Sequence, residues 1–445
     1  MSPFIISPAR VWLFVAGMSC QCLLVSSVAA GTQSDAPPLT LKHAQQAAIA
    51  RSRILTGQDF AVQASREMAL AASQRPDPVL KFGIDNLPIS GADRFSVGND
   101  FMTMRRVGVM QELTRADKRS SRSERYTRMA DKAAADKIVT IANLQRDTAL
   151  AWLDRYYAEQ ALLILTELAS QARQEITAAT AAYRGGKGSQ AELFAAQSTL
   201  TGIEDRSSEA RRRLANAKVM LARWSGQPSD ASLAGAPVMD AIRLNPATLD
   251  TELDHHPEIT ALRMQEAVAI ADVKVAEAEK KSDWSVELAY QQRGAAYSNM
   301  VSIGFSVPIQ WDQKNRQDRE VAAKLALAEQ AKAEREDMLR THVADIRVLI
   351  NEWENGRERI GRATAELRPQ AHHRTEATIA AYRGAKATLT EVLTARRAET
   401  DILLQIVQLQ ADTAQRWARL NYLQPDPSVM TGSEMEIMHS SGASK

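Results

Sequence analysis

Cysteine is nearly missing from this chain. The two present, Cys20 and Cys22, both fall near the N-terminus, inside a stretch that reads as an export signal. There Arg10 precedes the apolar run Val11 to Met18, which continues weakly through Leu23-Leu24-Val25. Small residues Val28-Ala29-Ala30 suit a peptidase site before Gly31. Gly17-Met18-Ser19 before Cys20 fits the lipidation pattern poorly. A mature chain without cysteine excludes disulfides and thiolate metal sites. Long apolar runs are also missing after the signal, so any later membrane crossing must use strands. Net charge is missing too: 55 Lys and Arg face 53 Asp and Glu, which gives no reason to expect nucleic acid as a partner. Aromatics make up only 5%, against abundant Ala, Gln, Glu, Arg and Leu, a composition of long helices. Finally, glycine and proline are absent from Arg115 to Arg184. Apolar residues such as Ile141, Leu144, Trp152, Tyr156 and Leu163 recur there at helical spacing. Near-continuous helix over that span reaches about 100 Å at 1.5 Å per residue, which requires coiled-coil packing.

What is present is a duplication. Ala181-Ala182-Tyr183-Arg184-Gly185-Gly186-Lys187-Gly188-Ser189 returns as Ala380-Ala381-Tyr382-Arg383-Gly384-Ala385-Lys386-Ala387-Thr388. Each copy reads as the tip of a helical hairpin, with glycine permitting the chain reversal. Around each tip the same plan appears. In the first unit, Thr40 caps a helix from Leu41, and a second helix spans about Gln58 to Gln74. Strands follow near 79–85 and 103–111, with a loop between them, then the long helix and a return helix from about Ser189 to Trp224. The second unit has a helix from Glu258 to about Lys281, strands around 284–290 and 301–307, a long helix over about 317–383 and a last helix over about 388–423. Gly356, Gly361 and Pro369 predict a bend in the second long helix. The boundaries are a signal peptide over 1–30, a first repeat over 31–235, a connector over 236–257, a second repeat over 258–424 and a disordered tail over 425–445.

The strands are amphipathic. Leu80, Phe82 and Ile84 alternate with Lys81, Gly83 and Asp85, and Val301, Ile303, Phe305 and Val307 with Ser302, Gly304 and Ser306. Four such strands in a bilayer cannot close alone, since single-chain barrels begin at about eight. Chains must then combine. The residues alone also admit a sheet that caps a soluble periplasmic coiled coil, such as an adaptor.

The order helix, two strands, long helix, tip, helix, stated twice, resembles the TolC-type outer-membrane efflux family from Leu39-Thr40-Leu41 to about Leu423. So does the tip pattern Tyr183, Gly186, Ser189, Glu192, Leu193, repeated as Tyr382, Thr388, Glu391, Val392. Pro76-Asp77-Pro78, Asp85-Asn86-Leu87-Pro88 and Val107-Gly108-Val109-Met110-Gln111 resemble its heavy-metal branch more than its drug-export branch. The resemblance implies a mainly α fold with membrane β: duplicated α-hairpins forming a trimeric tunnel, and four strands per chain in a shared twelve-stranded outer-membrane barrel. It implies a homotrimer in outer-membrane lipid that reaches into the periplasm. There it meets a periplasmic adaptor and an inner-membrane resistance-nodulation-division pump, and conducts heavy-metal cations passively, without cofactor or catalysis. A drug-efflux or type I secretion channel is the alternative within the family. The adaptor-docking tips would comprise Tyr183, Gly185, Gly186, Gly188 and Ser189, with Tyr382, Gly384, Ala385 and Thr388. Glu192 and Glu391 would form acidic rings, with Arg184, Lys187, Arg383 and Lys386 as ion-pair candidates. Ala385 departs from the family's usual glycine, and Thr394 stands where some members carry a second acid.

Other signals lead elsewhere. Gly185 to Ser189 is not a phosphate loop, because Gly188 separates Lys187 from Ser189 and a helix precedes it. His255-His256 and His372-His373 lack helical metal spacing and read as solvated. Met102, Met104 and Met110 read as apolar filler at a membrane strand.

Overall fold

The computed structural model describes residues 37–186, 188–249, 253–430 and 435. The expected signal peptide, Lys187 and the segment after Met430, save Met435, lie outside the described residues. Helix α1 (Leu41–Ala50) starts where the Thr40 hydroxyl accepts from His43 N. Helix α2 (Arg53–Ser73) starts earlier than expected, because Ser52 caps it and Gly57 is carried inside the helix. Strands β1 (Val79–Asp85) and β2 (Met104–Leu113) lead into α3 (Ala116–Arg184), 69 residues without interruption, and α4 (Gln190–Ser225) returns along it. The second unit holds α5 (Pro257–Glu279), β3 (Trp284–Gln292), β4 (Met300–Ser306) and α6 (Gln317–Arg362). A π-helical turn over Ala363–Leu367 follows, then α7 (Arg368–Arg383) and α8 (Leu389–Asn421).

Near Pro369, where a bend is expected, the second long helix passes through the π turn. Proline offers no N–H to the i−4 carbonyl, and widening the turn accommodates that loss. Gly356 has a different role. A Cβ there would run into the Thr413 side chain of α8, so this glycine lets two helices touch.

The main core lies half-way along α3, where the return helices α4 and α8 end. Trp152, Leu153, Leu221, Ile346, Ile350, Trp353, Trp417 and Leu420 meet there. Buried indoles need acceptors, and the connector and lead segment supply two of them, while Trp353 Nε1 has none among the described residues. Trp152 Nε1 donates to Leu39 O (3.0 Å) and Trp417 Nε1 to Ala241 O (2.9 Å). The connector packs Leu244, Leu249 and Leu253 into this belt.

The start of the expected disordered tail is ordered. Gln145 Nε2 donates to Asp426 O, Asp426 N donates to Gln145 Oε1, and Val429 and Met430 are buried against Ile49, Ile138 and Ile141. Apolar burial against α1 and α3 fixes residues 425–430 despite their prolines and polar neighbours.

Candidate functional site

The four strands form one antiparallel sheet in the order β1-β2-β3-β4. Register decides its chemistry, because cross-strand partners share a face. Leu80 pairs with Val109, Val109 with Leu288 and Leu288 with Ile303; Phe82 pairs with Val107, Val107 with Tyr290 and Tyr290 with Val301. That face is apolar and stands exposed, with Phe82 79% accessible. The opposite face carries Lys81, Gly108, Ala289 and Ser302 in one row and Gly83, Arg106, Gln291 and Met300 in the next. Its charges are tied together: Lys81 Nζ lies 2.8 Å from Glu287, and Arg106 pairs with both Glu287 and Asp85. Met104 and Met110 belong to this polar face, opposite Asp85 and Val79, so they do not fill the apolar side. A Cβ on Gly108 would press on Ala289 Cβ at 2.8 Å, and glycine there keeps β2 and β3 close. Where β2 enters α3, buried Lys118 donates to Asp283 at 2.7 Å and fixes the strands to the helices. Among the described residues the outer edges of β1 and β4 pair with nothing.

The two tips share one backbone path. Gly185 N donates to Ala181 O and Gly186 N to Tyr183 O; Gly384 N donates to Ala380 O and Ala385 N to Tyr382 O. Gly186 takes φ +67° and Ala385 +55°. Each return helix opens with a capping box. Ser189 Oγ accepts from Glu192 N (3.2 Å) while Ser189 N donates to Glu192 Oε2 (3.0 Å). Thr388 Oγ1 accepts from Glu391 N (3.3 Å) while Thr388 N donates to Glu391 Oε2 (2.6 Å). The Thr388 N–H and the Thr388 hydroxyl, which lies 3.0 Å from Glu391 Oε2, hold the Glu391 carboxyl below its usual pKa.

Both tip carboxylates are therefore engaged by backbone. Among the described residues neither pairs with Arg184, Arg383 or Lys386, because the cap geometry turns each carboxylate onto its own helix end. The tips differ in their side chains. Tyr382 packs with Ala179, Ala196, Leu389 and Leu393, between the hairpins, whereas Tyr183 is exposed. Behind that cluster Arg396 of α8 pairs with Glu175 of α3 and donates to Gln171 Oε1 at 2.6 Å. Burial pushes Glu175 upward and Arg396 opposes it. No motif in the sequence marks Glu175 or Arg396, since neither lies in the repeated tip.

The histidines divide. His372 Nδ1 lies 2.9 Å from a Glu399 oxygen at the surface. His256 is not solvated: it is 2% accessible, beside His342.

No family profile and no curated protein sequence matches the chain. Solved structures do. The outer-membrane channel OprN superposes with a TM-score of 0.73 at 16% identity, over 87% of this chain and 90% of that one. The CmeC outer membrane channel of Campylobacter jejuni gives 0.74 at 14%, over 90% and 89%. The outer membrane protein VceC of Vibrio cholerae gives 0.70 at 17%, over 86% and 95%. The fold is that of outer-membrane channels. Its long helical hairpins and four strands correspond over nearly the whole described chain, at identities that leave side-chain roles to this chain's own residues.

Proposed function

We propose that this chain is the outer-membrane channel of a tripartite efflux pump, a homotrimer that conducts its substrate passively. One observation carries the reading: a sheet with an exposed apolar face, a charged opposite face and two open edges, joined to helices about 100 Å long. In hydrocarbon such edges are untenable unless neighbours pair with them. Three copies supply twelve strands, with Phe82, Val107, Leu288 and Ile303 toward lipid and the Lys81–Glu287–Arg106–Asp85 network toward water.

The hairpins support the same stoichiometry. Within one chain α3 of the first hairpin packs on α8 of the second, and Tyr382 lies in that seam. The equivalent Tyr183 is exposed, with no such seam among the described residues. Carrying the hairpin-to-hairpin relation on to the next copy places Tyr183 in an intersubunit seam, and a ring closes.

In this reading the tips face a periplasmic adaptor that links the channel to an inner-membrane resistance-nodulation-division pump. Glu192 and Glu391 from three copies form acidic rings, which suits cation passage and, with the strand motifs noted above, a heavy-metal cargo. A photoreactive benzophenone side chain placed at Gly186 or at Ala385 should cross-link to adaptor in cells on irradiation, by insertion into a C–H bond, and leave the protein in the outer-membrane fraction. Recovery in the soluble periplasm would end the reading in favour of a coiled-coil adaptor.

A further inference from the structure

Three ligand-type side chains meet away from the sheet and the tips. His256 immediately precedes α5, Glu258 lies in its first turn, and His342 reaches across from α6. One ligand atom from each lies within 4.8 Å of the others. The two imidazole centroids are 4.4 Å apart, and His342 Nδ1 is 3.8 Å from Glu258 Oε2.

The polar accounting is unusual. His256 is almost fully buried, yet among the described residues neither ring nitrogen has a partner in good hydrogen-bond geometry, and neither does buried His342 Nε2. Unpaired buried polar atoms are costly and uncommon in native proteins. Solvent reaches the group at Glu258, whose side chain is 41% accessible, and to a lesser extent at His342, at 12%. Burial holds His256 down to about 4, with the neighbouring His342 adding to the effect; the Leu423 backbone works the other way, short of good hydrogen-bond geometry. His342 is lowered by burial too, against the pull of Glu258 and Asp345. Each imidazole can offer one ring nitrogen lone pair to a cation, and the carboxylate of Glu258 a third donor.

We propose that His256, Glu258 and His342 form a divalent transition-metal site of the zinc class, with water as a fourth ligand, that clamps the start of α5 to α6. Two neutral imidazoles and one carboxylate are the donor set that borderline cations take. Tetrahedral ligands at about 2.0–2.1 Å from zinc sit roughly 3.4 Å apart. The ligand atoms, within 4.8 Å of one another, stand wider than that, so a bound ion would draw the three side chains together. Asp345 adds negative charge beside His342, as outer-shell carboxylates do around metal-bound histidines. The site belongs to the resident structure and does not depend on which cargo the channel carries. It joins the inter-repeat connector to the second hairpin, so a bound ion would stiffen that junction.

The test uses untagged full-length protein in detergent, stripped with chelator. Zn2+ is titrated in competition with a chromophoric chelator, and Co2+ is titrated by visible absorption. One saturable Zn2+ per chain and an intense tetrahedral Co2+ band are expected. His342→Ala and Glu258→Gln, both at partly accessible positions that preserve the helices, should each weaken binding at least about tenfold and abolish or reshape the Co2+ band. His372→Ala, at the surface pair with Glu399, should leave both unchanged. Absence of stoichiometric binding, or a His342→Ala protein that folds and binds like the parent, would overturn the proposal. Should His256→Ala fail to fold, the other two variants still decide it.

Discussion

Ala385 holds in the second hairpin tip the left-handed conformation that Gly186 holds in the first, at φ +55° against +67°. The same reversal is built twice, once with the residue that adopts it freely and once with a residue that does not. Left-handed backbone costs a non-glycine residue about 1–2 kcal/mol. Ala385→Gly should therefore stabilise the second tip by about 1 kcal/mol, and Gly186→Ala should loosen the first by a similar amount. Amide hydrogen exchange over residues 380–392 and 181–193 would check both, with protection rising in the first variant and falling in the second.

The capping boxes give a pH dependence of defined sign. The backbone and hydroxyl of Thr388 lower the Glu391 pKa from 4.5. Its contribution is therefore fully present above the unfolded value of about 4.5 and is lost as pH falls through the depressed folded value. A nitroxide at Thr390 should report a rigid helix start at pH 7 that frays on strong acidification. Glu391→Gln should remove the acid-dependent part, and Thr388→Ala should cost about 1 kcal/mol at neutral pH.

Much of this was legible in the sequence, for physical reasons. The period-2 pattern fixed β1 at its observed limits, and the lack of glycine and proline marked α3 from end to end. The tip motif located both reversals, because glycine and a hydroxyl three residues before glutamate have specific backbone work to do. Long-range packing was not legible. Nothing local tells that Gly356 admits Thr413, that Val429 and Met430 dock on α3, or that Glu175 meets Arg396. His256 is hidden for the same reason: its partner His342 is remote in sequence, and adjacent His255 made the pair resemble a solvated surface.

The sheet's two faces should respond differently to charge. Phe82→Arg places a cation on the apolar face and should cost about 2–4 kcal/mol in lipid if it lies near mid-depth. Ser302→Arg, on the polar face, should be tolerated far better. Folding yield into lipid vesicles, followed by the mobility shift of folded barrel, distinguishes them.

Close helix contact predicts a third class of effect. Gly356→Leu drives a side chain into Thr413 of α8 and should lower stability by about 1–3 kcal/mol through overpacking. Gly361→Ala, with nothing within 4 Å of its Cβ position, should be neutral or slightly stabilising. Thermal melts of the two variants should separate.

Conductance tests the acidic tips. Replacing Glu192 and Glu391 together with Ala should alter single-channel conductance and reduce cation preference in planar bilayers, since three copies remove six charges from a narrow mouth. Unchanged ion selectivity would assign the two carboxylates to helix capping alone.

The most direct measurement is the oligomeric state of the purified chain in lipid nanodiscs, by native mass spectrometry with imaging of the same sample. The account predicts three chains sharing one closed twelve-stranded wall, with β1 of each chain paired to β4 of its neighbour. A single chain in lipid with both edge strands unpaired would contradict it.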